Sequence, residues 1–122
     1  MNPEVGCPVE ATARILGARW TLQIIHNLRR RRRFCELQEL AGGVNPTTLS
    51  QRLKFLEERG LVRRLPISDA PPHVEYELTE MGRDLLPVLD ALARWAFKWL
   101  HLSTGADATR DPQHATEGVP GC

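Results

Sequence analysis

Whole classes of protein are excluded by what this 122-residue sequence lacks. No apolar run approaches the roughly 18 to 20 residues that a membrane-spanning helix needs. Residues 1–8 contain neither the basic segment nor the apolar segment of a secretion signal. The three cysteines are odd in number and far apart, which favours reduced thiols over a disulfide framework. We therefore expect a cytoplasmic protein without a membrane partner.

Patterns that carry catalysis are missing as well. The sequence has no glycine-rich phosphate loop, no nucleophile elbow and no paired-carboxylate motif. The candidate metal ligands His26, Cys35, His73 and His101 lack the tight spacing of a metal site. We expect a protein that is not an enzyme and that uses neither a metal nor a cofactor.

Positive charge is concentrated in the middle of the chain. Residues 29–64 contain ten Lys or Arg against four Asp or Glu, a net charge of +6, whereas the whole chain has a net charge of +1. A basic middle in an otherwise acidic chain indicates a polyanionic partner. The five consecutive arginines 29–33 are predicted to form a turn that contacts phosphate, and a merely solvated turn is the alternative.

Apolar residues at helical spacing predict four helices in the first half of the chain. The fourth has the clearest start, because Asn45 is a good N-cap and Pro46 suits the first helical position. Leu49, Leu53 and Leu56 form its buried stripe. The first three helices are predicted over residues 8–16, 20–28 and 34–40, and the fourth ends at Gly60.

Two strands are predicted next, over residues 61–66 and 74–79. The segment 67–73 between them contains two prolines, which favour a stiff protruding loop over a tight hairpin. The resulting order is three helices, a capped fourth helix and two strands around a loop. It predicts a mainly α fold with a small β-wing, the winged helix-turn-helix.

The last predicted helix begins after Thr79, runs to about residue 102 and is kinked or split by Pro87. It is apolar on all but one narrow stripe, which is more apolar surface than a small monomer covers. Four of its apolar residues are separated by four, three and four positions in sequence, which is the spacing of a helix–helix seam. We predict that this seam makes a homodimer together with the first helix, and a small-molecule pocket is the alternative. The seam consists of Val88, Leu92, Trp95 and Trp99.

The domain organisation follows from composition. Residues 1–102 are predicted to form one DNA-binding and dimerisation domain. Residues 103–122 contain no Leu, Ile or aromatic residue and are predicted to be a disordered tail.

A polar fourth helix beside a basic segment predicts binding to double-stranded DNA. A helix that enters the major groove needs hydrogen-bonding side chains near its N-terminus, and arginines beside it neutralise phosphates. A winged helix that binds only proteins is the alternative, but it would not need the basic middle segment. The predicted DNA contacts are Arg31, Arg32, Arg33, Thr47, Thr48, Ser50, Gln51, Arg52 and Lys54.

Six stretches of the chain, taken in order, resemble the HxlR-type winged-helix regulators of bacteria over roughly residues 7–100. They are CPVE (7–10), GARWTL (17–22), RFCEL (33–37), NPTTLSQRL (45–53), LEERGLV (56–62) and PPHVEYELTEMG (71–82). The resemblance implies DNA-binding dimers that repress or activate nearby genes without catalysis. On the wing, His73 is a further predicted DNA contact, and it stands where the family often has a basic residue, so the wing is expected to bind phosphate less firmly at neutral pH.

Cys7 directly precedes Pro8, so it lies at or beside the N-cap of the first helix. Free backbone N–H groups there favour the reactive thiolate. The resemblance adds that some family members sense oxidants or quinones through an N-terminal Cys-Pro pair. Two interpretations stay open, a redox or electrophile sensor and a small residue that packs the helix start. No sequence feature identifies a small-molecule effector.

Overall fold

The computed structural model describes residues 6–102, and within them six helices and three strands are formed. This confirms the prediction of a mainly α protein with a small β-wing. The tail predicted over residues 103–122 lies outside the described residues. The helices are α1 (Pro8–Leu16), α2 (Thr21–Asn27), α3 (Phe34–Leu40), α4 (Pro46–Glu58), α5 (Glu80–Arg83) and α6 (Leu86–Trp99), and the strands are β1 (Arg32–Arg33), β2 (Val62–Asp69) and β3 (Pro72–Leu78).

The core lies where α2, α3 and α4 meet the sheet. Each of these helices turns its aliphatic side chains inward, and burial of one Leu or Ile contributes about 1.5–3 kcal/mol. Trp20 and Tyr76 pack at the edge of this core. The main buried side chains are Ile24, Ile25, Leu28, Leu37, Val44, Leu49, Leu53, Leu56, Leu61, Val62 and Leu78.

Both ends of α4 are fixed by the caps that the sequence predicts. The Asn45 side chain accepts hydrogen bonds from the backbone N–H groups of Thr47 and Thr48, at 2.8 and 3.4 Å. At the other end Gly60 has a φ of +85°, and the N–H of Leu61 donates to the carbonyl of Leu56. This is the bond of a Schellman cap, which satisfies carbonyls that the end of a helix leaves unpaired.

The wing is a tighter hairpin than the sequence predicts. The three strands pair antiparallel in the order β1-β3-β2, and Asp69 of β2 still pairs with Pro72 of β3. Only Ala70 and Pro71 form the turn, so the protruding loop expected over residues 67–73 is wrong. Pro72 is tolerated because it is the first residue of β3, where a missing N–H donor costs little.

The run of arginines contributes a strand. Arg32 pairs with Tyr76 and Arg33 pairs with Glu75, so the turn expected over residues 29–33 is wrong for these two. The strand is only two residues long, and it ties the start of α3 to β3.

The last segment is divided as predicted. Thr79 caps α5 by accepting from the N–H of Gly82 at 3.2 Å, and Pro87 lies in the first turn of α6. The helix α6 ends at Trp99, before the predicted residue 102. Leu89 is its one buried residue. Within residues 6–102, no helix combines the length and the apolar character that crossing a membrane requires.

Candidate nucleic-acid interface

The first nine residues of α4 present four exposed polar side chains on the outer face of the helix. They recur at helical spacing opposite the buried leucines, so they share one side of the helix. We call this set the recognition surface, and it contains four of the six residues that were predicted to contact DNA from α4. The recognition surface consists of Thr47, Ser50, Gln51 and Lys54.

The other two predicted residues of α4 lie on its flanks. Thr48 is half-buried beside the Asn45 cap. Arg52 is also half-buried, and its Nε donates a hydrogen bond of 3.0 Å to the carbonyl oxygen of Arg19, just before α2. Arg52 therefore has a partner within the protein.

Arg29 joins α2 to α6. Its Nη2 lies 2.6 Å from Oδ1 of Asp90, and its Nε donates to Nδ1 of His26 at 3.2 Å. Burial lowers the pKa of His26, the positive charge of Arg29 lowers it further, and Asp90 opposes this change. This first arginine of the run is thus engaged between two helices.

Two glutamates of β3 hold two arginines on one face of the sheet. Arg31 lies 3.5 Å from Glu75 and 3.4 Å from Glu77, and Nη1 of Arg63 lies 2.5 Å from Glu77. The hydrogen bond from Arg63 lowers the pKa of Glu77, and the charge of Arg31 adds to the effect. We call these four residues the arginine–glutamate ladder.

The ladder was not predicted from the sequence. The sequence signal for it is the alternation in β3, which puts Glu75 and Glu77 on one face of the strand. Two carboxylates on one face favour basic side chains at the facing positions of neighbouring strands.

The other residues predicted to contact phosphate are also engaged or partly buried within the chain. Nε of Arg32 donates to the carbonyl of Asn27 at 3.0 Å, and Arg33 is half-buried at the start of α3. His73 on the wing lies 2.7 Å from Glu75 through its Nε2. The structure therefore brings the polar residues of α4 together on a free surface and gives Arg31, Arg32 and His73 partners on the sheet and turn.

Cys7 is a free, exposed thiol at the N-cap of α1. Its backbone is extended, and Pro8 follows in the first helical turn. Arg14, one turn further along α1, pairs with Glu10 at 3.5 Å. Cys35 is disulfide-bonded, so the expected reduced thiol is wrong there, and Cys122 lies outside the described residues.

Helix α6 exposes most of its apolar side chains. The four residues of the predicted seam are between 46% and 59% exposed, although two of them are tryptophans. Phe97 and Leu100 are also exposed. The seam residues thus form an uncovered apolar strip along α6.

A cavity of about 200 Å³ lies between α1 and the segment before α6. Its walls are mainly apolar, and Thr12 and Asp84 supply polar groups. None of the seam residues of α6 lines this cavity. In the part of the chain that the structure describes, no three His, Cys, Asp or Glu side chains are grouped to hold a metal. The lining residues are Thr12, Ile15, Leu16, Leu61, Met81, Asp84 and Leu85.

Known proteins share both the sequence and the fold. The profile of the HxlR-like helix-turn-helix family matches residues 15–104. The chain belongs to this HxlR-like family. The HTH-type transcriptional regulator YvaP of Bacillus subtilis is 36% identical to it over 102 residues, which make up 82% of this chain and 94% of YvaP.

Solved structures agree with this assignment. A transcriptional regulator of the MarR family from Porphyromonas gingivalis W83 has a TM-score of 0.73 and 36% identity, covering 77% of this chain and 93% of its own. The redox regulator HypR, in its oxidized form, has a TM-score of 0.70 and 32% identity, covering 75% of this chain and 96% of its own. This HxlR-like protein is a winged-helix transcriptional regulator and not an enzyme, as the sequence predicts.

Proposed function

We propose that this HxlR-like regulator binds double-stranded DNA in the cytoplasm as a homodimer, with α4 of each subunit in the major groove of one half of an inverted repeat. The observation that carries the proposal is the recognition surface, which is polar and exposed on a helix whose opposite face is fixed in the core. An α-helix fits the major groove, where Gln and Thr side chains bind base edges. Two-fold symmetry would place the half-sites about one helical turn, or a multiple of it, apart.

Phosphate contacts are proposed to come first from Lys54, the cation of the recognition surface. Arg33 and Thr48 are half-buried at the starts of α3 and α4, and we assign them secondary contacts there. Arg31, Arg32 and His73 would have to leave their partners on the protein before they reached DNA. Their contribution to binding is therefore expected to be smaller than the sequence alone suggests.

The test is selection of DNA from a pool of random duplexes, followed by footprinting of the enriched sequence. Wild-type protein should enrich an inverted repeat and protect both halves. Gln51→Ala should lose about 1–3 kcal/mol of discrimination at one base position of each half. Lys54→Ala should weaken binding to all sequences and reduce the slope of log affinity against log salt by about one.

Arg94→Ala is the control, since Arg94 is an exposed cation on α6 that does not belong to the seam. It should leave the salt slope unchanged. A selection that enriches no sequence would contradict the proposal.

The homodimer is proposed to form through the apolar strip of α6. A monomer would leave Trp95 and Trp99 more than half exposed, and a second copy is the occupant that the two-fold DNA site requires. Two linked DNA-binding units also hold DNA more tightly than either does alone.

We further propose that oxidants or electrophiles act on this regulator through Cys7. The thiol is exposed at a helix N-cap, and a solved structure of similar fold is a redox regulator. Reduced wild-type protein should change its DNA affinity when diamide or a quinone is added, whereas Cys7→Ser should not. Cys35→Ser is the control and should respond like the wild type. An equal response of wild type and Cys7→Ser would leave Cys7 as a packing residue.

A further inference from the structure

The corner between α1 and α2 has a fixed shape. A Cβ at Gly17 would lie 2.5 Å from the carbonyl oxygen of Ala13, so the chain passes α1 too closely for any larger residue. Trp20 has a φ of +80°, a left-handed conformation that residues other than glycine seldom adopt. We call residues 17–20 the corner.

Contacts on both sides hold this corner. The Trp20 ring lies against Gly42 in the turn between α3 and α4, where an added Cβ would be 3.2 Å from Cζ3 of the ring. The guanidinium of Arg19 lies 4.8 Å from the centre of the same ring. The corner is thus packed against the helix-turn-helix itself.

Arg52 joins the corner to α4. Its Nε donates to the carbonyl oxygen of Arg19 at 3.0 Å. Arg52 is three residues after Leu49 and four before Leu56, so it lies on the flank of α4 next to the buried stripe. Gln51, by contrast, has Thr47 and Lys54 as its neighbours at this spacing, on the recognition surface.

We infer that Arg52 is a positioning residue, which fixes α4 against the corner, rather than a residue that reads a base. A guanidinium binds a guanine edge best with two parallel N–H groups of its planar fork. In Arg52 the Nε–H is already donated to the Arg19 carbonyl, so the guanidinium is tethered to the corner and only its Nη1 and Nη2 groups are left for another partner. The inference rests on the proposed DNA binding only for its effect on affinity, because the contact itself exists in the free protein.

Arg52→Met tests the inference, since it keeps an unbranched apolar stem and removes the donors. Lys54→Met is the matched control, because it removes one cation from the same helix but from its exposed face. The first measurement is hydrogen exchange in the free proteins at two amides near the start of α2. The N–H of Thr21 donates to Ala18, and that of Ile24 donates to Trp20.

Exchange at these two amides should be about three- to tenfold faster in Arg52→Met than in the wild type, and unchanged in Lys54→Met. Arg52→Lys supplies one donor to the same carbonyl and should recover most of the slow exchange, which separates positioning from general unfolding. Equal exchange rates in Arg52→Met and the wild type would overturn the inference.

The second measurement is the affinity of each protein for the DNA sequence that the wild type enriches and for its single-base variants. Arg52→Met should bind all of them about three- to tenfold more weakly and keep their order of preference. Loss of preference at one base position alone would show that Arg52 reads a base and would overturn the inference. If the wild type enriches no sequence, the proposed function fails, and hydrogen exchange still decides the role of Arg52.

Discussion

Helices α4 and α6 have 13 and 14 residues, and each has a proline in its first turn, but they are completed in different ways. Helix α4 buries three leucines and exposes polar side chains. Helix α6 buries only Leu89 and exposes an apolar strip. The apolar face of α4 is fully buried within its own chain, and its outer face is polar. The other helix leaves an apolar strip uncovered within one chain.

The difference shows that burial and function are divided between the two helices. The leucines of α4 fix its position, so its outer face needs to be neither apolar nor rigidified by a partner. The strip of α6 contributes less to the fold of one chain than the leucines of α4 do, because its side chains remain 46–59% exposed. Substitutions in the two helices should therefore have separable effects on folding and on assembly.

The largest effect is expected from a charge in the strip of α6. Trp95→Asp or Trp99→Asp would bury an unpaired carboxylate in the proposed dimer, which is strongly unfavourable. Light scattering should then show a monomer or an aggregate, and DNA affinity should fall sharply because the two half-sites are no longer bound together. Arg94→Ala, on the polar stripe of the same helix, should remain dimeric. A well-folded dimer of Trp99→Asp would place the subunit contact elsewhere.

A leucine in each helix sharpens the contrast. Leu53→Ala in α4 should lower the free energy of unfolding by about 2–5 kcal/mol at every protein concentration, since it leaves a cavity in the core. Leu92→Ala in α6 should affect unfolding mainly through loss of the dimer, because the side chain is 47% exposed in one chain, so most of its effect should depend on protein concentration. Denaturant titrations at several protein concentrations distinguish the two. A cost of Leu92→Ala that is large and independent of concentration would contradict the division of roles.

A smaller effect is expected at the start of α4. Asn45→Ala removes the acceptor for the N–H groups of Thr47 and Thr48 and should cost about 1 kcal/mol of stability. Asn45→Ser should recover most of it, because serine is also a good N-cap. Thermal unfolding of the three proteins measures the difference.

The smallest effect is expected from the arginine–glutamate ladder. The hydrogen bond from Arg63 and the charge of Arg31 lower the pKa of Glu77 below its usual value of 4.5. A carboxyl with a lowered pKa stabilises the fold above its unfolded pKa and loses this contribution as the pH falls through the folded pKa. Glu77→Gln should therefore be less stable than the wild type at pH 7 by no more than about 1 kcal/mol, and the gap should close as the pH falls below about 4.5. A gap that widens in acid would contradict this assignment.

The local sequence predicted the helices because their signals are local. Asn45, Pro46 and Gly60 mark the ends of α4, and its three leucines mark its buried face. Proline at position 87 likewise marks the start of α6. The polar side chains of the recognition surface followed from the same periodicity, so most of the candidate site on α4 was visible before the fold was known.

The sheet was predicted less well because its partners are distant in sequence. No residue near Arg32 indicates a strand. Arg32 and Arg33 form β1 only because they pair with the edge of β3 that β2 leaves unpaired. The same distance hid the partners of Arg31, which come 44 and 46 residues later at Glu75 and Glu77. A run of arginines indicates phosphate contact only when no carboxylate of the protein pairs with it. The local sequence does not show whether such a carboxylate lies nearby in the fold.

The apolar strip of α6 has a consequence for gene dosage. If a second copy covers the strip, the amount of dimer at low concentration rises with the square of the amount of monomer, by mass action. Occupancy of a two-fold operator would then respond more steeply than linearly to the number of protein molecules in the cell. A twofold change in expression would alter occupancy up to fourfold under these conditions, without any change in operator or effector.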